Sequence, residues 1–422
     1  MTQPPSPSHG SLWARWALDP ALGVLDGVTL EWRGGRIHRL EAVSRPPADL
    51  PPGAIFDRHL LTPGLLNAHT HLDYAYMKGM LPRGEGFVPW LRGMIAERRA
   101  FADPPRAIEA CRRAVADCVA GGVTELWDIS SFGWALPALA RSSLAGLCFQ
   151  EWIAMEPARW QDPWAAWPAD FARRCAEAGL SAERWGWGLS PHTVYTVCPP
   201  ALAAAARWAR EEGLPCAIHL AESSEERDLL VEGRGALFDL FSAMMPLDPH
   251  AALGVGLSSI ARVRAAGALG PRTLAIHCNL PEPGEARALA ESGAVVVFCP
   301  RSHAYFGYPP YPLEAYRQAG VRLALGTDSL ASNDSLSIRA EMRRLGELAP
   351  MWSPLELLAC ASGAALGQAA PFGGRGLLQP GRPARWALWT LAQSFDQAPA
   401  ERLLEALLSE RTTLAHAPHS FS

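Results

Sequence analysis

Lysine is almost absent from this sequence. Only one of the 38 lysine and arginine residues of the 422-residue chain is a lysine, Lys78. The chain also lacks an apolar run of the roughly 20 residues that cross a bilayer, and its formal net charge is only −4. These absences remove the hydrophobic and electrostatic reasons to expect a membrane or a nucleic acid as partner. We therefore predict a globular protein that acts on a small molecule.

Paired cysteines and a secretion signal are missing as well. The nine cysteines are odd in number and form no C-x-x-C pair, a usage typical of reduced, mostly buried thiols. Residues 1–10 are polar and rich in proline, without the basic and apolar regions of a signal peptide. We expect a disordered tail over these residues and a cytoplasmic protein.

The sequence does contain a regular alternation of short apolar runs and longer amphipathic stretches. Helical patterns, such as residues 199–213 and 282–293, follow most of the runs. Continuously apolar strands indicate a parallel sheet that is buried on both faces, and eight strand–helix units are typical of a (β/α)8 TIM barrel. The runs cover residues 64–71, 124–130, 145–152, 185–192, 216–222, 273–279, 294–300 and 321–328.

The alternative architecture is an open, doubly wound sheet, which usually carries a glycine-rich phosphate turn after its first strand. Residues 64–79 contain no such turn, so we assign a barrel to residues 63–365. Short strands with Gly and Pro punctuation at both ends predict a small composite β-sandwich domain from residues 11–62 and 366–422. Residues 234–270 predict a helical excursion that serves packing or an oligomer contact, as in a homodimer.

Several apolar runs end in residues that a barrel core does not need. His69 and His71 close the first run, and because they are two residues apart on a strand, both rings can aim at one point. His219 closes the fifth run and Asp328 the eighth. Catalytic groups converge at the C-terminal ends of barrel strands. Three imidazoles and one carboxylate there predict a site for one divalent ion, Zn²⁺ first, with Fe²⁺ or Mn²⁺ as alternatives.

Six motifs together give the chain a family resemblance. In combination they resemble the amidohydrolase superfamily, specifically its cytosine-deaminase-like (ATZ/TRZ) branch, over nearly the whole chain. The resemblance implies a metal-dependent barrel that hydrolyses C–N bonds of cyclic amidines and releases ammonia. The motifs are P-G-L-L-N-A-H-T-H (63–71), S-P-H-T-V-Y-T (190–196), H-L-A-E (219–222), A-I-H-C (275–278), C-P-R-S-H (299–303) and G-T-D-S-L-A-S-N (326–333).

The resemblance also implies roles for individual residues. The four residues described above would hold one metal ion per subunit, and Asp328 would also accept a proton from the attacking water. His277 would bind or orient that water, and Glu222 would shuttle protons; otherwise Glu222 is a carboxylate at a helix N-terminus. Members with two ions bridge them with a carboxylated lysine from a barrel strand. Because Lys78 follows the first run instead, a lysine-bridged pair of ions is excluded.

The substrate contacts are inferred from fewer residues. His192, in the S-P-H motif, could contact the substrate. Trp90 could stack on a heterocycle, or else pack in the core as one of the 16 tryptophans. Arg301 could clamp a carboxylate, or else form an ion pair with a neighbouring loop. We group His303 with these contacts, although many relatives have asparagine at this position.

Residues 299–338 are most similar to the subgroup that deaminates 6-amino-6-deoxyfutalosine in menaquinone biosynthesis. That substrate joins an adenine nucleoside to a benzoate, and Arg301 would give its carboxylate a partner. The alternatives are deamination of 5′-methylthioadenosine or S-adenosylhomocysteine, a guanine-type deaminase, and a triazine-type chlorohydrolase. A barrel scaffold without catalytic activity is the alternative of a different class.

Overall fold

The computed structural model describes residues 9–161, 167–244, 249–368 and 371–416. In these ranges fourteen strands form two sheets, and none of the helices has the length and apolarity needed to span a bilayer. The strands are β1 His9–Asp19, β2 Gly23–Arg33, β3 Arg36–Ala42, β4 Ile55–Pro63, β5 Leu65–Thr70, β6 Val123–Ser130, β7 Ala145–Trp152, β8 Trp185–Pro191, β9 Cys216–Leu220, β10 Thr273–His277, β11 Val295–Phe298, β12 Arg322–Leu325, β13 Trp386–Thr390 and β14 Thr413–His416.

The eight strands β5 to β12 form the predicted barrel. Each lies beside the next strand in the chain, and neighbours are parallel. All eight residues of β6 are buried, because the strands contact the interior on one face and helices on the other. The backbone N–H groups of Thr327 and Asp328 donate to the carbonyl of His69 at 2.9 and 3.1 Å. These bonds link the last strand to the first and confirm the barrel.

Most of the helices lie between the barrel strands in the chain, as the amphipathic stretches predict. Several begin at a side-chain cap; Ser353, for example, forms a full capping box with Glu356. The α-helices are α1 Phe87–Ala100, α2 Pro104–Ala120, α3 Leu136–Arg141, α4 Trp167–Glu177, α5 Pro199–Glu211, α6 Ser224–Arg227, α7 Ala236–Met244, α8 Pro249–Leu253, α9 Ser259–Ala265, α10 Glu285–Ser292, α11 Pro300–Phe306, α12 Leu313–Ala319, α13 Ile338–Leu348, α14 Pro354–Ser362 and α15 Ala400–Leu408. Shorter turns of helix cover Pro52–Ala54, Leu72–Met77, Asp228–Glu232 and Ala364–Leu366.

The other six strands form a second, mostly antiparallel sheet in the order β14-β13-β4-β1-β2-β3. Strand β13 contributes side chains to both faces of this sheet because side chains alternate along a strand. Trp386 and Leu388 belong to the core of the small sheet, whereas Ala387 and Trp389 belong to the core shared with the barrel helices. The Trp389 ring lies so close to Gly122 that a Cβ there would meet it at 2.1 Å. The small sheet is therefore packed firmly onto the barrel.

Chain segments at both ends build this sheet, as predicted, but three boundaries differ. Strand β1 already includes His9 and Gly10, which we assigned to the tail; residues 1–8 of that tail lie outside the described residues. Strand β4 extends to Pro63. Helix α15 lies in the C-terminal segment, but its buried leucines join the core of the barrel because they pack against α13 and α14. The last predicted residues, 417–422, are outside the described part.

The helical excursion after the fifth barrel strand is observed as α7, α8 and α9. It serves more than packing, because Phe241 and Met244 of α7 reach the cavity at the C-terminal end of the barrel. Residues 245–248 of the predicted excursion lie outside the described residues. Eight of the nine cysteines are buried, and all nine are free thiols, in agreement with the sequence.

Candidate active site

Five of the predicted site residues meet at the C-terminal ends of the barrel strands. His69 lies near the end of β5, His219 in β9 and His277 at the end of β10, while Asp328 follows β12. The imidazole of His69 lies 4.9, 5.2 and 5.6 Å, between ring centroids, from those of His71, His219 and His277. The barrel therefore brings residues from four separate parts of the chain into one buried cluster.

The donor atoms of this cluster are close enough to share one ion. Ligand atoms of His69, His219 and His277 lie within 4.8 Å of one another, as do those of His69, His71 and Asp328. The Nε2 atoms of His71 and His219 are 3.1 Å apart, and Nε2 of His69 is 3.6 Å from Oδ1 of Asp328. Imidazole nitrogens and carboxylate oxygens are both ligand types that zinc takes in proteins.

The electrostatics of the cluster also fit a cation. Burial lowers the pKa of His71 to about 4 and that of His219 well below its ordinary value, so both rings are neutral and offer lone pairs. Neither ring nitrogen of His69 has a hydrogen-bond partner among the described residues, although both are buried. Buried polar atoms normally have a partner. A divalent ion at the shared point would supply it.

Asp328 is held in place by several donors. The hydroxyls of Ser302 and Ser332 donate to Oδ2 at 2.7 and 2.8 Å, and the backbone N–H of Ser329 donates to Oδ1 at 2.8 Å. Burial alone would raise the pKa of Asp328, but the neighbouring His69 and His277 hold it well below its usual range. The side chain is therefore an oriented carboxylate anion.

Backbone strain is concentrated at the same place. Among the described residues, four residues other than glycine have a positive φ: Ala221, His277, Cys278 and Asp328. All four lie at the ends of barrel strands beside the cluster. Such conformations cost about 1–3 kcal/mol each and persist where the surrounding structure imposes them, often at functional sites. The strain indicates that these strand ends are shaped for chemistry.

Glu222 lies beside the cluster and in the same cavity. Its Oε1 is 3.6 Å from Nε2 of His277. Burial raises the pKa of Glu222 well above its ordinary value, and the charge of Asp328 acts in the same direction. Its backbone is anchored because its N–H donates to Glu226 at 2.7 Å and its carbonyl accepts from Asn279 at 2.9 Å. The arrangement presents a carboxylic acid that can give and take a proton.

Two further histidine contacts orient the rings. Nδ1 of His219 is 2.8 Å from the carbonyl of His192, an outer contact of the kind that fixes the tautomer of a metal-binding histidine. Nδ1 of His192 is 2.9 Å from the Thr196 hydroxyl. The S-P-H motif therefore contributes both to the cluster and to the cavity wall.

A cavity of about 210 Å³ leads from the cluster outward. Most of its wall is apolar, and Trp90 lies in it with its indole N–H donating to the carbonyl of Ala331 at 2.9 Å. Of the predicted contacts, His192 and Trp90 line the cavity. The apolar lining residues include Phe87, Leu91, Met94, Ile95, Ile153, Met155, Phe241 and Met244.

Arg301 and His303 are not among the residues that line this cavity. The Arg301 guanidinium donates to the Ser335 hydroxyl at 2.8 Å and lies near Asp334 and Glu341, which is the ion-pair alternative described above. The His303 ring packs against Phe298, Tyr308 and Tyr311, and burial lowers its pKa to about 4. Both residues follow β11 in helix α11.

Two charged residues in the cavity wall escaped the sequence analysis. Glu151 lies near the end of β7, and Arg98 lies on α1 with its guanidinium over the rings of Tyr74 and Phe132. Glu151 closes the third apolar run, so the reasoning that selected the other strand-end residues applies to it equally. Nothing in the helical pattern of α1 distinguishes Arg98 from its neighbouring arginines.

Comparisons with known proteins agree with this architecture. The amidohydrolase family matches residues 60–407 of the chain. The aminodeoxyfutalosine deaminase of Deinococcus radiodurans is 32% identical over 316 residues, which are 72% of this chain and 71% of that protein. The 5-methylthioadenosine/S-adenosylhomocysteine deaminase of Nitratidesulfovibrio vulgaris is 29% identical over 326 residues, 76% of this chain and 64% of that protein.

Two solved structures share the fold. An adenosine deaminase from Xanthomonas campestris with bound zinc gives a TM-score of 0.78 at 21% identity, covering 98% of this chain and 92% of the other. The aminofutalosine deaminase of Helicobacter pylori, in complex with methylthio-coformycin, gives 0.80 at 18% identity, covering 96% and 98%. The predicted enzyme class, a hydrolase of C–N bonds in cyclic amidines, is confirmed by the family and by its deaminase relatives. The chain belongs to the amidohydrolase family.

Proposed function

We propose that this protein is a metal-dependent deaminase that replaces the exocyclic amino group of a purine-type nucleoside by a carbonyl. One water is consumed and one ammonia is released. The observation that carries the proposal is geometric: the His/Asp cluster and the Glu222 carboxyl adjoin at the inner end of a single, largely apolar cavity. Such a cavity suits a flat heterocycle, and the cluster lies where its amino-bearing carbon would be attacked.

The metal would be held by His69, His71, His219 and Asp328. Zn²⁺ is the ion we propose, because three imidazoles and one carboxylate form a nitrogen-rich donor set. When bound, such an ion lowers the pKa of a bound water to about 7 and so supplies a nucleophile at neutral pH.

The proton transfers follow from the chain's own side chains. The Asp328 carboxylate accepts a proton from the attacking water. The Glu222 carboxyl donates its proton to the adjacent ring nitrogen, and, after taking up a further proton, protonates the amine so that it leaves as ammonia. His277, 3.6 Å from Glu222, stabilises the oxygen that develops negative charge.

The cavity suggests which nucleoside is bound. Its apolar outer wall suits a 5′ substituent without a free hydroxyl. Arg98 is the only arginine or lysine among the described lining residues, and its charge suits a carboxylate at the far end of the substrate. We therefore propose 6-amino-6-deoxyfutalosine, converted to futalosine in menaquinone biosynthesis, as the substrate, with Arg98 rather than Arg301 as the partner of its benzoate.

A substrate panel with metal analysis tests this function. Purified protein is analysed for bound metal and then incubated with 6-amino-6-deoxyfutalosine, 5′-methylthioadenosine, S-adenosylhomocysteine, 5′-deoxyadenosine, adenosine and guanine, while ammonia is measured. We expect about one metal ion per chain and the highest kcat/KM with 6-amino-6-deoxyfutalosine. Turnover of guanine alone would contradict the nucleoside class, and protein without metal or turnover would favour a scaffold.

The Glu222→Gln variant tests the acid–base assignment. We expect kcat for ammonia release to fall about 10²–10⁴-fold while the metal content stays unchanged, because Glu222 is not a ligand in this scheme. Glu183→Gln, the same change at an exposed position, is the matched control. A chlorinated triazine is added as a substrate, since expulsion of chloride requires no proton donor; chloride release without ammonia release would point to a chlorohydrolase instead.

A further inference from the structure

Glu151 is a charged cavity residue that the proposed chemistry does not use. It is buried at the end of β7, and one of its oxygens, Oε2, accepts from the Ser131 hydroxyl at 2.5 Å. The Ser131 oxygen is in turn 2.8 Å from the Tyr74 hydroxyl. The Glu151 carboxyl group is thus fixed in the wall of the cavity.

The other oxygen of Glu151 can accept a further hydrogen bond. Its Oε1 lies 3.9 Å from Nε2 of His192, which is longer than a hydrogen bond. The structure shows no donor to Oε1 among the described residues. On the opposite side of the His192 ring, Nδ1 is 2.9 Å from the Thr196 hydroxyl. Oε1 of Glu151 and Nε2 of His192 therefore lie close together in the cavity wall without a hydrogen bond between them.

We infer that Glu151 and His192 together bind the hydroxyl groups of the substrate's ribose and so make the enzyme specific for ribonucleosides. A hydroxyl fits this pair because it can donate to a carboxylate and also accept from, or donate to, an imidazole. An apolar group would leave Oε1 of the buried carboxylate without a donor, which is costly. The inference rests on the proposed function, because it assigns the sugar of the same substrate.

The position of the pair agrees with this assignment. The His192 ring is 5.2 Å from that of His219, centroid to centroid, so the pair adjoins the cluster without belonging to it. Arg98 lines the same cavity. An ammonium group is the other chemistry that a carboxylate could bind, and S-adenosylhomocysteine carries one; it is therefore included in the test.

The experiment compares two nucleosides that differ in one hydroxyl group, using the wild type and variants of Glu151. Wild type, Glu151→Ala and Glu151→Gln are assayed with 5′-deoxyadenosine and 2′,5′-dideoxyadenosine, which differ only in the 2′-hydroxyl, and with S-adenosylhomocysteine. Glu183→Gln is the surface control. Melting temperature and metal content are measured for every variant, so that a loss of structure is separated from a loss of specificity.

We expect the wild type to prefer 5′-deoxyadenosine over 2′,5′-dideoxyadenosine by about 10- to 100-fold in kcat/KM. In Glu151→Ala this preference should fall to within about threefold, through a higher KM for the ribonucleoside. An equal loss for both nucleosides would overturn the inference, as would a loss confined to S-adenosylhomocysteine, which would assign Glu151 to an ammonium group.

Failure of the proposed function would be recognised separately. If the wild type deaminates guanine but no nucleoside, deamination stands and the sugar site is overturned. If no substrate releases ammonia, calorimetry with the same two nucleosides decides the inference: affinity that depends on both the 2′-hydroxyl and Glu151 supports it, and equal or absent binding overturns it.

Discussion

The two ends of the barrel each bury a polar cluster, and the two clusters differ in how completely they are satisfied. At the N-terminal end, Glu125 of β6 pairs with Arg375 and Arg385 and accepts from the Trp127 indole at 3.1 Å. At the C-terminal end, the ring nitrogens of His69 have no hydrogen-bond partner among the described residues. One cluster is complete within the chain, whereas the other leaves donor atoms facing a common point.

This difference separates stability from function. Arg375 and Arg385 belong to the segment that leads into the small sheet, so the Glu125 cluster joins that sheet to the barrel. The strained backbone near Asp328 and the converging imidazoles lie at the opposite end. In TIM barrels the C-terminal face carries the catalytic groups and the N-terminal face serves stability. The predictions below test whether the two roles can be separated by single substitutions.

The largest effect is expected for Asp328→Ala at the C-terminal end. Because this residue is assigned both as a ligand and as a base, kcat/KM for deamination should fall by about 10³-fold or more, with loss of most of the bound metal. Activity assays and metal analysis measure both effects. Asp334→Ala, six residues later and exposed, is the control. Wild-type activity of the Asp328 variant would contradict the assignment of Asp328 as a ligand and a base.

Glu125→Ala at the N-terminal end should affect stability instead. Removing one partner leaves two guanidinium groups without their shared anion, which should lower the free energy of unfolding by about 3 kcal/mol, measured by urea denaturation. The kcat of the folded protein should be unchanged. Glu109→Ala, which breaks an exposed pair with Arg112, should cause a much smaller loss. A large loss of kcat in Glu125→Ala would mean that the two ends are not independent.

The same cluster predicts a pH dependence. The charges of Arg385 and Arg375 hold the pKa of Glu125 below its ordinary value, although burial acts in the opposite direction. Because the pKa of Glu125 is lower in the folded protein than in the unfolded chain, its charge stabilises the fold. This stabilisation is complete above the pKa of an unperturbed glutamate, about 4.3. It is lost as the pH falls through the pKa of Glu125 in the folded protein. The stability difference between wild type and Glu125→Ala should therefore shrink below about pH 4.

The smallest effect is expected for Arg98→Gln. This variant tests which residue at the C-terminal end of the barrel contacts the carboxylate of the substrate. KM for 6-amino-6-deoxyfutalosine should rise about 30-fold, since a charge-assisted contact to its carboxylate is lost. KM for 5′-deoxyadenosine, which has no carboxylate, should change less than threefold. The matched variant Arg301→Gln should leave both KM values close to wild type, because Arg301 bonds to Ser335 outside the cavity. A similar rise for both substrates would contradict the role of Arg98.

Periodicity along the chain was sufficient to predict the barrel and the cluster. A residue that closes an apolar run of a parallel strand must lie at the C-terminal end of the sheet, and this local rule selected His69, His219 and Asp328 from the sequence. The same rule covers Glu151, which closes its run in the same way. The N- and C-terminal sheet could be predicted for a similar reason, because Gly and Pro punctuate short strands at both ends of the chain.

Only the tertiary structure decided which polar residues face the cavity. Arg301 and His303 also follow an apolar run, but the chain turns into a helix at Pro300. There Arg301 bonds to Ser335 and the His303 ring packs against aromatic rings, and neither side chain lines the cavity. Arg98 reaches the cavity because one face of α1 forms part of the cavity wall, a placement set by packing against distant segments. Strand alternation fixes side-chain direction within a strand; beyond the last strand residue, direction depends on loops and helices whose course no local pattern specifies.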